Sequence, residues 1–108
     1  MFKALSDSNR LRILKVLEQK PLCVCEITSV LNISTSTVSK HLSILRDAGF
    51  IQDEKDGKWV EYKLNLNTKD LQVRQMLSLI PSWLNDDKSV NDMKLKLKNA
   101  DRNVLCKV

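Results

Sequence analysis

The 108-residue sequence predicts a mainly α fold carrying one small β-hairpin, on three observations. Apolar stripes at helical spacing, Leu11–Leu17 and Ile27–Leu31, are followed by a polar break at Asn32-Ile33-Ser34 and a further helical stripe. After Gly49 the apolar period changes from that of a helix to two. Asp56-Gly57 then lies between two alternating stretches, a type I′ hairpin signal. A chain of this length is one domain, 1–108, with about 82–108 as a C-terminal extension. It buries a smaller share of its surface than a larger chain does, so it stands to gain stability as a dimer.

The elements follow in order. Asp7 or Ser8 can cap a first helix whose Leu11, Ile13, Leu14, Val16 and Leu17 form a broad apolar face ending before Pro21. A short second helix is expected from about Val24 to Leu31. Ser34 is a good N-cap for the third, which runs to Ala48 with Gly49 as its C′ residue. Helix, short turn and helix is the outline of a helix-turn-helix. Along the third helix Val38, Leu42 and Leu45 face inward, while Ser36, Ser39, Lys40 and Ser43 share the opposite side. That outer face is short and polar, and fits a helix laid in a DNA major groove. An ordinary solvated face usually carries more Glu and Lys. His41 falls on the border, where a packing or phosphate-contacting role is expected rather than metal ligation.

Ile51 starts one strand, and Val60, Tyr62 and Leu64 alternate with Trp59, Glu61 and Lys63 in the next. Lys55 and Lys58 flank the hairpin tip, so the hairpin reads as a wing whose lysines meet phosphates, although solvent exposure alone would also place them there. A later segment opening at Thr68 carries Leu71, Met76, Leu77, Leu79 and Ile80 before Pro81. It serves either the monomer core or, with Phe2 and Leu5, a two-fold interface. Past Pro81, Trp83 and Leu84 are expected to pack and Asp86-Asp87 can open a short helix. Met93–Lys98 alternates in a way that neither period settles, and the last residues, including Cys106, are expected to be mobile. The expected whole is a dimeric winged helix-turn-helix.

Charge agrees with that reading without proving it: 18 Lys and Arg against 13 Asp and Glu leave a net charge of +5, which favours polyanions. Three cysteines, an odd number, and no charged-then-apolar leader argue for a reducing cytoplasm rather than a secreted disulfide framework. No apolar run is long enough to span a membrane.

Leu22-Cys23-Val24-Cys25 lies just ahead of the helix-turn-helix. On a continuous helix residues two apart project about 200° from each other, so the thiols can converge only where the chain is not yet fully helical. Pro21 and the following apolar run put them at a helix N-terminus, where the dipole and unpaired N–H groups favour the thiolate. Each cysteine alone could be a small buried hydrophobe. As a pair beside a DNA reader they suggest soft-metal ligation or redox sensing. A thiol enzyme fits poorly, because neither cysteine has a general-base partner in the sequence pattern.

Phe2-Lys3-Ala4-Leu5-Ser6-Asp7 with Arg10–Leu14, Ser36–Leu42, Leu45–Gly49 and Gly57–Tyr62 resemble the signatures of the ArsR/SmtB winged-helix repressors. The resemblance covers about Phe2 to Ile80. It implies a non-enzymatic homodimer that needs no cofactor to bind operator DNA and leaves it when a metal or metalloid binds. Leu22–Ile27 resembles the metal box of the arsenic-sensing and cadmium/lead-sensing branches. By that resemblance Cys23 and Cys25 are ligands, arsenite or antimonite is the expected inducer with cadmium or lead as alternatives, and Thr35, Ser36, Ser39 and Lys40 contact the groove. The chain departs from the pattern in having Thr28 where arsenic sensors have a third Cys, no Cys before Cys23, and no second His for the family's zinc site. Cys106 is left as a third thiolate, or an exogenous thiol completes the set.

Overall fold

Three of the helices, the first, third and fourth, begin where a polar side chain satisfies N–H groups that a helix start leaves open. In the computed structural model of the chain, which describes residues 2–83 and 88–98, a 3₁₀ turn at Phe2–Leu5 leads to α1 (Ser8–Leu17). The Asp7 side chain caps α1 by accepting from the Asn9 N–H at 2.7 Å. After α1 come a two-residue strand β1 (Leu22–Cys23) and α2 (Val24–Leu31), which ends on Asn32 in the left-handed region, φ 58°. Ser34 caps α3 (Thr35–Asp47) through the Thr37 N–H at 3.3 Å. Gly49 turns the chain out at φ +90°, a conformation that glycine adopts without steric cost.

Strands β2 (Ile51–Asp56) and β3 (Trp59–Leu64) form the hairpin, and β1 adds to its other edge, so the antiparallel order is β1-β3-β2. Leu22 pairs with Tyr62 and Cys23 with Glu61. Asn65 closes the base of the hairpin, its side chain donating to the Gly49 carbonyl at 3.0 Å and accepting from Gln52 at 2.8 Å. After the sheet come α4 (Leu71–Ser78), a 3₁₀ turn at Ile80–Ser82 and α5 (Lys88–Lys98).

One core joins these elements: Ile13, Leu14 and Val16 of α1, Ile27 and Val30 of α2, Val38, Leu42 and Leu45 of α3, Phe50 and Ile51, Val73 and Leu77 of α4, and Val90 and Met93 of α5. Burial of that apolar surface is the main force that holds α2 and α3 in their crossing. Lys15 also lies in the interior at 1% exposure, where its ammonium donates to the Ile80 carbonyl at 2.7 Å and pairs with Glu18 at 3.1 Å. These bonds offset the cost of burying the charge and tie α1 to the turn before α5.

Three expectations need correction, and one open reading is resolved. The hairpin loop is Gly57-Lys58, with Asp56 paired to Trp59. Only Gly57 in it has positive φ, at 62°, which is the type II′ pattern and not I′. Along β3 the alternation does not hold, because Val60 is 43% exposed while Trp59 is half-buried. The cap of α4 is Asp70 rather than Thr68: its carboxylate accepts from the Gln72 and Val73 N–H groups, and Thr68 accepts from the Asp70 N–H. The ambiguous Met93–Lys98 stretch belongs to α5, where Val90 and Met93, three apart, meet the core. Leu84, Asp86-Asp87 and Cys106 lie outside the described residues, as does the side chain of Phe2. No described helix is long and apolar enough to cross a membrane.

Candidate functional site

Cys23 holds three structural positions at once: it is the last residue of β1, the N-cap of α2, and a buried thiol at 2% exposure. Its extended backbone, φ −90° and ψ 167°, turns its side chain toward that of Cys25, which lies half-buried in the first turn of α2. The two sulfurs are 3.3 Å apart. Convergence therefore needs only one of the pair outside the helix. Cys23 is reduced, whereas Cys25 is disulfide-bonded.

Glu26, buried at 2%, turns back over the same residue. Its Oε1 accepts from the Cys23 backbone N–H at 3.0 Å and from the Cys23 thiol at 3.3 Å. Glu at the third helical position, just before an apolar run, is a capping-box signal that the sequence carries. Among the described residues no group of three or more His, Cys, Asp or Glu gathers as a metal site, so these provide two sulfurs and no third soft donor. Cys106 lies outside the described residues.

The candidate DNA face is built on α3. Thr35, Ser36, Ser39, Lys40 and Ser43 are all exposed, and Val38, Leu42 and Leu45 beneath them are buried. Ser34 donates to the Thr37 hydroxyl at 2.7 Å, which stiffens the first turn of this helix. Lys55 and Lys58 are exposed at the tip of the hairpin, and the Lys58 ammonium lies 4.8 Å from the Trp59 ring centroid, a cation–π contact.

Of the packing and phosphate-contacting roles expected of His41, its burial fits the first. It is 8% exposed, with Nδ1 3.2 Å from an Arg10 guanidinium nitrogen and Nε2 4.0 Å from the Asp7 carboxylate. Arg10 also donates to the Ala4 carbonyl at 2.7 Å. The group ties α3 to α1 and to the N-terminal turn. Asp7 is held below the ordinary carboxylate range chiefly by the Asn9 N–H bond; desolvation opposes this, and the charges of His41 and Arg10 add to it. Periodicity placed His41 on a border and could not show which way its ring turns.

A groove of about 260 Å³ joins the thiols to the DNA face. Cys23, Val24, Cys25, Thr35, Lys58, Trp59 and Val60 line it, so the start of α3, the wing and the cysteine pair share one wall of space. Sequence spacing concealed this, because the pairing of β1 with β3 brings together residues more than thirty positions apart.

Residues 7–53 match the family described as bacterial regulatory protein, arsR family. The chain is 35% identical over 91 residues, 81% of its own length and 71% of the relative's, to the arsenic resistance transcriptional regulator ArsR1 of Pseudomonas putida. It is 38% identical over 79 residues, 72% of this chain and 63% of the other, to the cadmium resistance transcriptional regulatory protein CadC of Listeria innocua. Among solved structures, reduced HlyU from Vibrio cholerae superposes with a TM-score of 0.62 at 33% identity, covering 75% of this chain and 81% of that one.

Proposed function

The chain belongs to the ArsR family of bacterial regulatory proteins, and from that premise we propose that it is a cytoplasmic repressor. It binds operator DNA as a homodimer and releases it when arsenite or antimonite binds Cys23 and Cys25. The observation that carries this reading is the 3.3 Å separation of the two sulfurs at the junction of β1, α2 and the wing strand. At a metal–sulfur length of about 2.3 Å, sulfurs so spaced subtend roughly 90° at a shared atom. That suits a pyramidal trivalent centre better than the tetrahedral angle of zinc. The arsenic-resistance relative supports the same inducer, and the cadmium-resistance relative keeps cadmium as the alternative.

Thr35, Ser36, Ser39 and Lys40 would meet the groove, and Lys55 and Lys58 the flanking phosphates. In the homodimer, two such faces read two half-sites. The exposed Leu71 and Leu79, together with the apolar cavity of about 460 Å³ beside Leu5, Leu11 and Trp83, supply surface for that association. Ligation would draw Cys23 and Cys25 onto one centre. Because Cys23 is both cap of α2 and partner of Glu61 in β3, any shift passes to the α2 start and to the wing together. A coupling of about 1 to 3 kcal/mol per ligand is typical of such linkage and would release a dimer that binds two.

The disulfide at Cys25 favours a second reading, a repressor governed by thiol oxidation. Fluorescence anisotropy of a labelled duplex from the gene's own upstream region separates the two. Protein pre-reduced with a phosphine, then freed of it, should bind and be released by arsenite or antimonite. Release by cadmium alone would move it to the divalent-metal branch. Binding that no ion disturbs but peroxide abolishes would establish the oxidation reading.

A further inference from the structure

Resting on the operator-binding homodimer, we propose that Arg10 is the positioning residue that fixes the half-site spacing the dimer accepts. Its guanidinium bridges two surfaces with different partners. On one side Nε donates to the Ala4 carbonyl at 2.7 Å, which anchors the N-terminal turn carrying Leu5. On the other, Nη1 donates to His41 Nδ1 at 3.2 Å, on α3 between Lys40 and Leu42. Leu5 and Leu11, the latter next to Arg10 in α1, line the apolar cavity assigned to the second copy. Lys40, next to His41, is exposed on the face assigned to DNA. One side chain thus stands between the dimer surface and the reading helix.

This contact is directional where the rest of the seating of α3 is not. Val38, Leu42 and Leu45 hold the helix through apolar burial, which has no angular preference of its own. A guanidinium offers only donors, so His41 Nδ1 accepts, and the ring proton lies on Nε2, which faces the Asp7 carboxylate at 4.0 Å. The ring is therefore held at both nitrogens by groups at the start of α1, and α3 cannot turn about its axis without giving up one of them. In a two-fold dimer any such turn is repeated in the partner, so the relation between the two reading helices changes twice over. Half-sites are read about one helical turn apart, and a small rotation takes the second helix out of its groove. Lysine is no substitute at this position. The planar fork of arginine reaches Ala4 and His41 together, whereas an ammonium is a point charge on a flexible stem.

The test first locates the two half-sites by footprinting pre-reduced, inducer-free protein on the gene's own upstream region. Anisotropy then compares that duplex with one carrying a single base pair inserted between the half-sites, which leaves the contacts within each half-site intact. The insertion, about a tenth of a turn, should weaken wild-type binding about tenfold or more. In Arg10→Lys the ratio of the two affinities should fall below about threefold. Lost stability alone weakens binding to both duplexes alike and leaves that ratio where it was. His41→Ala removes the same bond from the side of α3 and gives the same reading should Arg10→Lys fail to fold. His41→Asn keeps an acceptor near the Nδ1 position and should restore most of the wild-type ratio. A footprint with the wild-type ratio unchanged in Arg10→Lys or His41→Ala overturns the role of Arg10 and leaves the operator reading standing, as does a wild-type protein indifferent to the insertion. Absence of any footprint overturns both.

Discussion

Glu26 accepts two hydrogen bonds from Cys23, one from its backbone N–H at 3.0 Å and one from its thiol at 3.3 Å. The carboxylate that starts α2 is therefore also the one in contact with a candidate ligand sulfur. Removing it takes away a cap and an acceptor in a buried place, so Glu26→Ala should cost about 1 to 3 kcal/mol. Glu26→Gln retains an acceptor for the N–H and should recover most of the loss. Urea midpoints of the three proteins decide this, and equal midpoints for Ala and wild type would show that the contact contributes nothing.

Cys23→Ser and Cys25→Ser should both bind the operator and ignore arsenite. A hydroxyl replaces the thiol without disturbing the fold's backbone pairing, but it does not hold a soft centre. The reduced variants can be compared with wild type in one anisotropy titration. Release of either at the wild-type inducer concentration removes that residue from the site.

Lys40→Ala should weaken binding to the operator more than binding to an unrelated duplex, the signature of one lost groove contact. The inducer midpoint should not move. An unchanged affinity at low salt excludes Lys40 from the interface.

His41→Ala should behave differently, since the ring sits inside against Arg10. Stability should fall by about 1 to 2 kcal/mol through the lost packing and hydrogen bond. The salt dependence of DNA binding should be that of the wild type, and a reduced slope would restore His41 to the DNA face.

Asp7 gives a pH prediction with a definite sign. Its carboxyl titrates lower when folded than when unfolded, chiefly because it accepts the Asn9 N–H. The unfolded chain thus takes up the proton first on acidification. The cap's contribution is whole above the ordinary aspartate range and is lost below about pH 4, as pH falls through the folded value. Asp7→Asn keeps a capping oxygen but does not titrate there. Between pH 7 and pH 3 the wild-type urea midpoint should fall further than that of the variant; parallel decline would remove Asp7 as a source of acid sensitivity.

Where a segment's fate was set by its own neighbours, it was legible before any coordinates. Ser34 and Gly49 bound α3 as expected, since capping is a contact between residues a few positions apart. The inner row Val38, Leu42 and Leu45 followed from helical spacing for the same reason. Misreadings arose where two local signals competed. Thr68 and Asp70 are both good caps, and only the carboxylate reaches the first N–H groups of α4. Asp56-Gly57 and Gly57-Lys58 are both feasible loops, and the strand register chose the second.

By itself the sequence determined the order of helices, the polar outer face of α3, the lysines beside the hairpin tip and the position of two cysteines at a helix start, because periodicity, capping and turn chemistry act over a single turn or two. Tertiary structure alone decided the pairing of Cys23 with Glu61, the inward turn of His41 onto Arg10, and the groove shared by Cys25, Thr35 and Trp59. Those relations join residues dozens of positions apart. They are set by how the core fixes one element against another, and no local pattern encodes that packing.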